Sequence, residues 1–297
     1  MNSLTAASPA DLLTIGQWLS TAYPVGSFAY SHGLEQAIAD GRVHDGDTLR
    51  DWLHVVLTEG AGRSDAIFLA LAYRAGETPD AQRDALPEGA TSGDALTSGD
   101  ALSSGDALTS GDALLNAPPE AAGLAIALPD AAASPVAPSR PRPAALLCDS
   151  GTPPAMSLSD LADYCAALCP ARERLLEATA QGAAFAKVTR DTWGFDLPDM
   201  PYPVALGRAA ALAGLPVAPL VLLFLQAFLT NQVQAAQRLM KLGQTRAQAV
   251  LRDLSPAMAD VAAFAVTAGP DDLGSAAMGV DIAAMRHESL QPRMFRS

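Results

Sequence analysis

A short repeat in the middle of the chain limits how the rest can fold. Residues 91–114 read TSGDAL, TSGDAL, SSGDAL and TSGDAL. A period of six is too short for a helical solenoid unit, and one leucine per unit gives little to stack inside a β-helix. Proline-rich sequence follows, including residues 134–143. Because such a segment buries too little apolar surface to offset its backbone entropy, we expect residues 76–156 to be a disordered low-complexity insertion.

The insertion also carries most of the chain's acidity. The 297-residue chain has a formal net charge of −13, and residues 76–156 hold eleven acidic and three basic side chains but no Phe, Tyr or Trp. The acidic balance argues against a nucleic-acid-binding protein and against docking on anionic membranes.

The flanking blocks, residues 1–75 and 157–297, show helical periodicity and no convincing period-two pattern, so we predict one all-α, helical-bundle-like domain interrupted by the insertion. Residues 281–297 form its tail. The predicted helices are residues 11–20, residues 31–40, one capped by Asp47, one capped by Ser64, one from Ser157 or Ser159 to Cys169, one starting at Pro170, and residues 217–242, 245–254, 255–267 and 280–288.

Two segments stand out at opposite ends of the chain. Residues 23–35, YPVGSFAYSHGLE, place aromatic rings and glycines between two helices. This pattern fits either a tight interhelical corner with aromatic plugs or a partner surface. Residues 281–297 keep apolar side chains among arginines, whereas chain ends usually become polar. We therefore expect a docking peptide there; the alternative is a tail folded back on its own domain.

The sequence contains no catalytic signature: no GxGxxG after a strand, no P-loop, no GxSxG and no HExxH. We expect no enzymatic activity and no tightly bound metal or cofactor. Cys165 and Cys169 are spaced i, i+4, which is an incomplete zinc site or a pair of buried small side chains.

The compartment is expected to be the cytoplasm. Three cysteines do not make a disulfide framework, and the first eleven residues lack a signal-peptide pattern. The most apolar window, residues 215–229, contains Pro216 and Pro219 and is short for a membrane span.

Both unusual segments resemble signatures of the urease accessory proteins of the F type. PVGSFAYSHGLE resembles the N-terminal signature of that family, DIAAMRHESLQPRMFRS resembles its C-terminal signature, and ARERLLEATAQGAAFAKV lies between them in the expected place. The resemblance covers both helical blocks; the insertion is the departure from the family pattern.

The resemblance implies an all-α homodimer without catalytic activity of its own. It implies a urease-maturation chaperone that bridges a G-type accessory GTPase and a D/H-type accessory protein, through which it reaches the urease apoprotein. In this interpretation nickel is handled by the complex and is not tightly bound by this chain.

Site residues carry over by motif. The tail residues expected to contact or be ordered by the D/H-type partner are Arg286, His287, Glu288, Arg293, Phe295 and Arg296. The corner residues expected to line the dimer or the GTPase-facing region are Tyr23, Pro24, Gly26, Ser27, Phe28, Tyr30, His32 and Glu35. His32 and Glu35 are also candidates to line a nickel route.

Two other functions stay open. The first is a GTPase-activating protein that supplies an arginine to the partner's nucleotide; the arginines considered are Arg172, Arg174, Arg208, Arg238 and Arg246. The second is a metal-binding protein that uses Cys165, Cys169 or His32.

Overall fold

Ten α-helices and two 3-10 turns form the part of the chain that the computed structural model describes, residues 7–76 and 156–297, and no strand occurs there. The all-α prediction is confirmed. The helices are α1 (Pro9–Trp18), α2 (Leu34–Ala39), α3 (Gly46–Thr58), α4 (Ala61–Gly76), α5 (Leu158–Ala167), α6 (Arg172–Trp193), α7 (Tyr202–Leu212), α8 (Val217–Leu239), α9 (Gln244–Thr267) and α10 (Met278–His287). The predicted insertion, apart from its end residues Gly76 and Met156, lies outside the described residues.

Helix starts follow capping chemistry, with two corrections to the sequence prediction. Of the two serines predicted to cap α5, Ser157 is the cap, in a capping box with Asp160, and Ser159 lies inside the helix. The cap of α3 is Asp45 instead of Asp47. Ser64 does not cap α4 but lies inside it, because the helix already begins at Ala61; the Ser64 hydroxyl donates to the carbonyl of Gly274 at 2.9 Å.

The core is built around α4 and α7, which approach very closely. A Cβ added at Gly207 would lie 2.2 Å from the carbonyl oxygen of Leu69, so only glycine fits at this crossing. Helix α7 was not predicted from the sequence. Residues 203–210 are buried on every side of the helix, so they show no amphipathic stripe that would reveal it.

Helices α8 and α9 pack against each other. Pro216 is the N-cap of α8 and Pro219 lies in its first turn. Helix α8 begins at Val217 as predicted and ends at Leu239, slightly before the predicted end at residue 242. Among the described helices it alone is long and apolar enough to cross a membrane by length and composition, with mean hydropathy 1.4. Its inner face, including Leu225 and Leu229, is fully buried in the protein core. Helix α9 is continuous, with Pro256 inside it, where the sequence predicted two helices.

Candidate functional site

The corner, residues 23–35, turns the chain through backbone conformations that favour glycine. Gly26 and Gly33 have φ values of 74° and 75°, and His32 shares this left-handed region at 53°. Tyr23 and Tyr30 are buried, as the interpretation of aromatic plugs requires. The Tyr23 hydroxyl lies 2.9 Å from Thr189 Oγ1 on α6, and burial raises the pKa of Tyr23. Phe28, in contrast, is 61% exposed and faces solvent.

The tail, residues 281–297, folds back onto the corner. The Arg296 backbone N–H donates to the carbonyl of Ala29 at 2.8 Å, and the Ser31 N–H donates to the carbonyl of Ser297 at 2.6 Å. Phe295 is buried, and the Arg238 guanidinium lies 4.9 Å from the centre of its ring. The tail backbone is therefore folded back on its own domain, which was the alternative to the docking peptide that we expected from the sequence.

Glu35 is the main anchor of the tail. Its carboxylate accepts the backbone N–H groups of Met294, at 2.7 Å, and Phe295, at 2.9 Å. It also lies 3.0 Å from Nε2 of His287. Because charge-assisted hydrogen bonds are stronger than neutral ones, three donors on one buried carboxylate hold the tail firmly to α2.

The tail also completes the start of α6. Ala171, the N-cap of this helix, supplies no side-chain cap. Instead, Glu288 from the tail accepts the backbone N–H of Arg172 at 2.9 Å. A carboxylate at a helix N-terminus satisfies a free donor and interacts favourably with the helix dipole. This role of Glu288 is invisible in sequence, because 116 residues separate the two partners.

A buried charged cluster lies beneath the tail. His32 Nε2 is 2.8 Å from Glu177 Oε1, Arg174 pairs with the other oxygen of Glu177, and Asp65 lies 3.7 Å from Arg174. The Ser297 hydroxyl donates to Glu177 at 3.0 Å and so connects the tail to this cluster.

The cluster separates the pKa values of its acids. Burial acts to raise the pKa of Glu177, but Arg174 and His32 outweigh it and lower that pKa to about 2. Burial raises the pKa of Asp65 to about 6, although Arg174 opposes the change. Burial, and then Arg174, lower the pKa of His32, which favours its neutral form. Glu177 is therefore ionised over a wider range of pH than Asp65.

The corner and the tail thus form one site, which joins the two segments singled out in the sequence. Comparisons with known proteins concern the chain as a whole. A family model described as UreF matches residues 43–109 and 142–255, more than half of the chain. The chain belongs to the UreF family.

Relatives named urease accessory protein UreF extend the similarity to nearly the whole chain. A protein of Cereibacter sphaeroides (strain ATCC 17029 / ATH 2.4.9) is 40% identical over 97% of this chain and 99% of its own length. Proteins of Rhodopseudomonas palustris (strain BisA53) and Roseobacter denitrificans are 36% and 35% identical, over 99% and 96% of this chain and 97% and 93% of their own lengths. The gap in the family match, residues 110–141, lies inside the predicted insertion.

The residues assigned by motif to the UreF tail have different exposures. His287 and Phe295 are buried against the chain itself, so their side chains do not face a partner in this conformation. Arg286, Glu288, Arg293 and Arg296 are exposed. Among the corner residues, Pro24 and Phe28 are exposed, Gly26 and Ser27 are partly buried, and Tyr23, Tyr30, His32 and Glu35 are buried.

His32 and Glu35 make separate contacts. His32 bonds to the Glu177 cluster and Glu35 to the tail. In residues 7–76 and 156–297 no group of three or more His, Cys, Asp or Glu side chains is placed to hold a metal ion. Burial raises the pKa of the Cys165 thiol on α5 and of the Cys169 thiol just after this helix, that of Cys169 to about 11. This disfavours the thiolate needed for metal binding.

Proposed function

We propose that this chain acts in urease maturation as a non-enzymatic scaffold. In this role it bridges the G-type accessory GTPase and the D/H-type accessory protein in the cytoplasm, as a homodimer, so that nickel reaches apo-urease as cargo of the assembly. The observation that carries the proposal is the corner–tail site. It presents a continuous surface from both ends of a chain whose family relatives are named urease accessory proteins.

The exposed side of the tail is the proposed contact for the D/H-type partner. Helix α10 turns Ile282 and Met285 to solvent, with exposed fractions of 46% and 50%, and Met294 further along the tail is 62% exposed. Arg286 flanks the two α10 side chains. Exposed apolar groups beside an arginine are typical of the centre of a protein interface. His287 and Phe295 support this surface from beneath. Met294 is one of the apolar tail residues that suggested a docking peptide in the sequence, whereas Ile282 and Met285 were given no role there.

The partner contact can be tested without removing the tail. We expect the double variant Ile282→Glu and Met285→Glu to bind the purified D/H-type protein at least about tenfold more weakly, because burying two carboxylates in an apolar contact is costly. Leu13→Glu on α1 is the matched control, since Leu13 is also an exposed leucine-sized side chain. Light scattering and titration calorimetry measure the complex. Unchanged affinity in a folded double variant would contradict the proposed surface.

Regulation of the GTPase by an arginine remains the second candidate function. Burial of two of the five arginines reduces the number of candidate side chains. Arg174 and Arg208 are buried, Arg174 within the Glu177 cluster and Arg208 with a hydrogen bond to the Gly76 carbonyl at 3.1 Å. Neither side chain can reach a partner's nucleotide. Arg172 and Arg238 are exposed, Arg246 is partly buried, and these three arginines remain candidates.

GTP turnover by the G-type partner decides this second candidate. An arginine supplied in trans is expected to raise turnover by about 10³–10⁵-fold, and its replacement by alanine to remove the effect. Arg174→Lys and Arg208→Lys serve as controls for buried positions. If turnover is equal with and without this protein, the arginine mechanism is wrong and the scaffold proposal is unaffected.

A further inference from the structure

His287 lies fully buried between two carboxylates from different helices. Its Nδ1 is 2.7 Å from Oε2 of Glu173 on α6, and its Nε2 is 3.0 Å from Oε2 of Glu35 on α2. A neutral imidazole has one N–H and one lone pair, whereas an ionised carboxylate offers only lone pairs. Both contacts are attractive only when both ring nitrogens carry a proton.

The surrounding groups place this proton on the imidazole. All contacts made by Glu35 in this site are with donors, since it also accepts the N–H groups of Met294 and Phe295. Glu173 is paired with Arg293 through its other oxygen. A proton placed on Oε2 of either carboxylate would be donated to a ring nitrogen that had lost its own, so the site would hold the same number of protons. Imidazole is a stronger base than a carboxylate, so the proton lies on the ring. The ionised pair therefore favours an imidazolium.

The remaining charged groups near His287 are occupied elsewhere. Glu288 accepts the backbone N–H of Arg172, and Arg286 on α10 is directed to Asp40 on α2 at 3.9 Å. With His287 charged, the cations His287 and Arg293 balance Glu35 and Glu173. With His287 neutral, two carboxylates in a largely buried site would share one cation, which is unfavourable.

We propose that His287 is a proton-binding site that couples docking of the tail to pH. The docked tail binds one proton more than the released tail, so docking weakens as the pH rises. For one linked proton, the docking constant falls about tenfold per pH unit above the point at which the released ring is neutral. Through the exposed tail surface this linkage would control binding of the D/H-type partner, a consequence that rests on the proposed function.

The direct test uses the full-length protein without any partner. Nitrogen-15 NMR of the imidazole rings at about pH 7 is expected to show both nitrogens of His287 protonated. Hydrogen exchange, corrected for its intrinsic pH dependence, is expected to show loss of protection at the Met294 and Phe295 amides as the pH rises. A neutral His287 ring in a protein whose tail amides stay protected would overturn the proposal.

Two variants separate proton linkage from simple loss of packing. His287→Gln keeps one donor and one acceptor but cannot take up the proton, so its tail protection should be lower and independent of pH. His54→Gln is the control, because His54 is exposed on α3; it should retain the pH dependence. A His287→Gln protein that keeps the same pH dependence would exclude His287 as the proton site.

The partner is added only as a second measurement. If tail protection depends on pH but affinity for the D/H-type protein does not, the proton site stands and the proposed partner surface is wrong. If the tail amides show no pH dependence, the proton site is wrong whatever the partner does.

Discussion

Single carboxylates determine much of the behaviour of this protein. Glu35 receives donors from three residues of the tail, and Glu177 receives donors from Arg174, Gln181 and Ser297. Glu177 is a buried acid that is ionised because its donors replace water. Asp65 lies beside Glu177, and among the described residues Arg174 at 3.7 Å is its ion-pair partner. Burial outweighs this contact and raises the pKa of Asp65.

Asp65→Asn is predicted to remove a pH dependence of stability. The pKa of Asp65 in the folded protein is raised to about 6 from its ordinary 3.8, so folding favours the protonated form. Its favourable contribution is present at low pH and is lost as the pH rises through about 6. Between about pH 4 and pH 7 the wild type should lose about 2–3 kcal/mol relative to Asp65→Asn.

Urea unfolding at a series of pH values measures this difference. Asp163→Asn is the control, since Asp163 is an exposed aspartate on α5, and it should follow the wild type. Glu177 does not interfere, because its contribution changes only as the pH falls below its ordinary 4.5 toward about 2. If the stability of wild type and of Asp65→Asn changes with pH in the same way, burial does not shift the pKa of Asp65.

The sequence indicated which residues matter in the corner and tail but not the direction each side chain takes. Composition did not decide whether the aromatic residues of the corner are buried plugs or part of a partner surface. Tyr23 and Tyr30 are buried plugs, whereas Phe28 is exposed. His287 and Phe295 were assigned to a partner contact. Their burial depends on contacts with Glu35, which lies more than 250 residues away in sequence, so no local pattern could reveal it.

At the scale of elements, the site depends on how closely α2 and α10 approach. Gly33, the N-cap of α2, has a φ of 75°, and a Cβ added there would lie 2.6 Å from the backbone nitrogen of Ala284. Because the obstructing atom belongs to the backbone of α10, the helix itself would have to move. Gly41, at the other end of α2, has a similar φ of 72° with nothing near its Cβ position.

Gly33→Ala is therefore predicted to be more damaging than Gly41→Ala. Both variants force alanine into a left-handed conformation, at a cost of about 1–2 kcal/mol. Gly33→Ala adds an overpacking cost of about 1–3 kcal/mol and should release the tail. Denaturant unfolding measures the loss of stability, and protease sensitivity near residue 290 measures release of the tail. Equal effects of the two substitutions would mean that contact with α10 does not hold the tail.

Helices with one apolar and one polar face were predicted correctly from the sequence. A helix without this contrast between its faces was not predicted. The cap at Ser157 and the amphipathic helices were recognised from the sequence. Helix α7 was missed because it is buried all round, and α9 was divided because Pro256 was taken as a break. A proline inside a helix loses one backbone hydrogen bond, a cost that packing of α9 against α8 and α3 can offset.

At the scale of the whole molecule, the corner and the tail meet in one surface. Helices α2, α6 and α10 converge so that the corner and the tail share hydrogen bonds, and the exposed side chains of both segments face outward. The sequence motifs predicted the family and the all-α class, both of which are confirmed. The joining of the two motifs is a property of tertiary packing, since the residues that form it are distributed along the whole chain.

A bridging scaffold must bind both partners at the same time, and light scattering after size exclusion measures this. The protein is mixed with both the purified G-type GTPase and the D/H-type protein, and the mass of the complex is compared with those of the two binary mixtures. We expect a single species that contains all three chains, with a second copy of this protein. Two binary complexes that exclude each other, or no complex with either partner, would contradict the bridging scaffold.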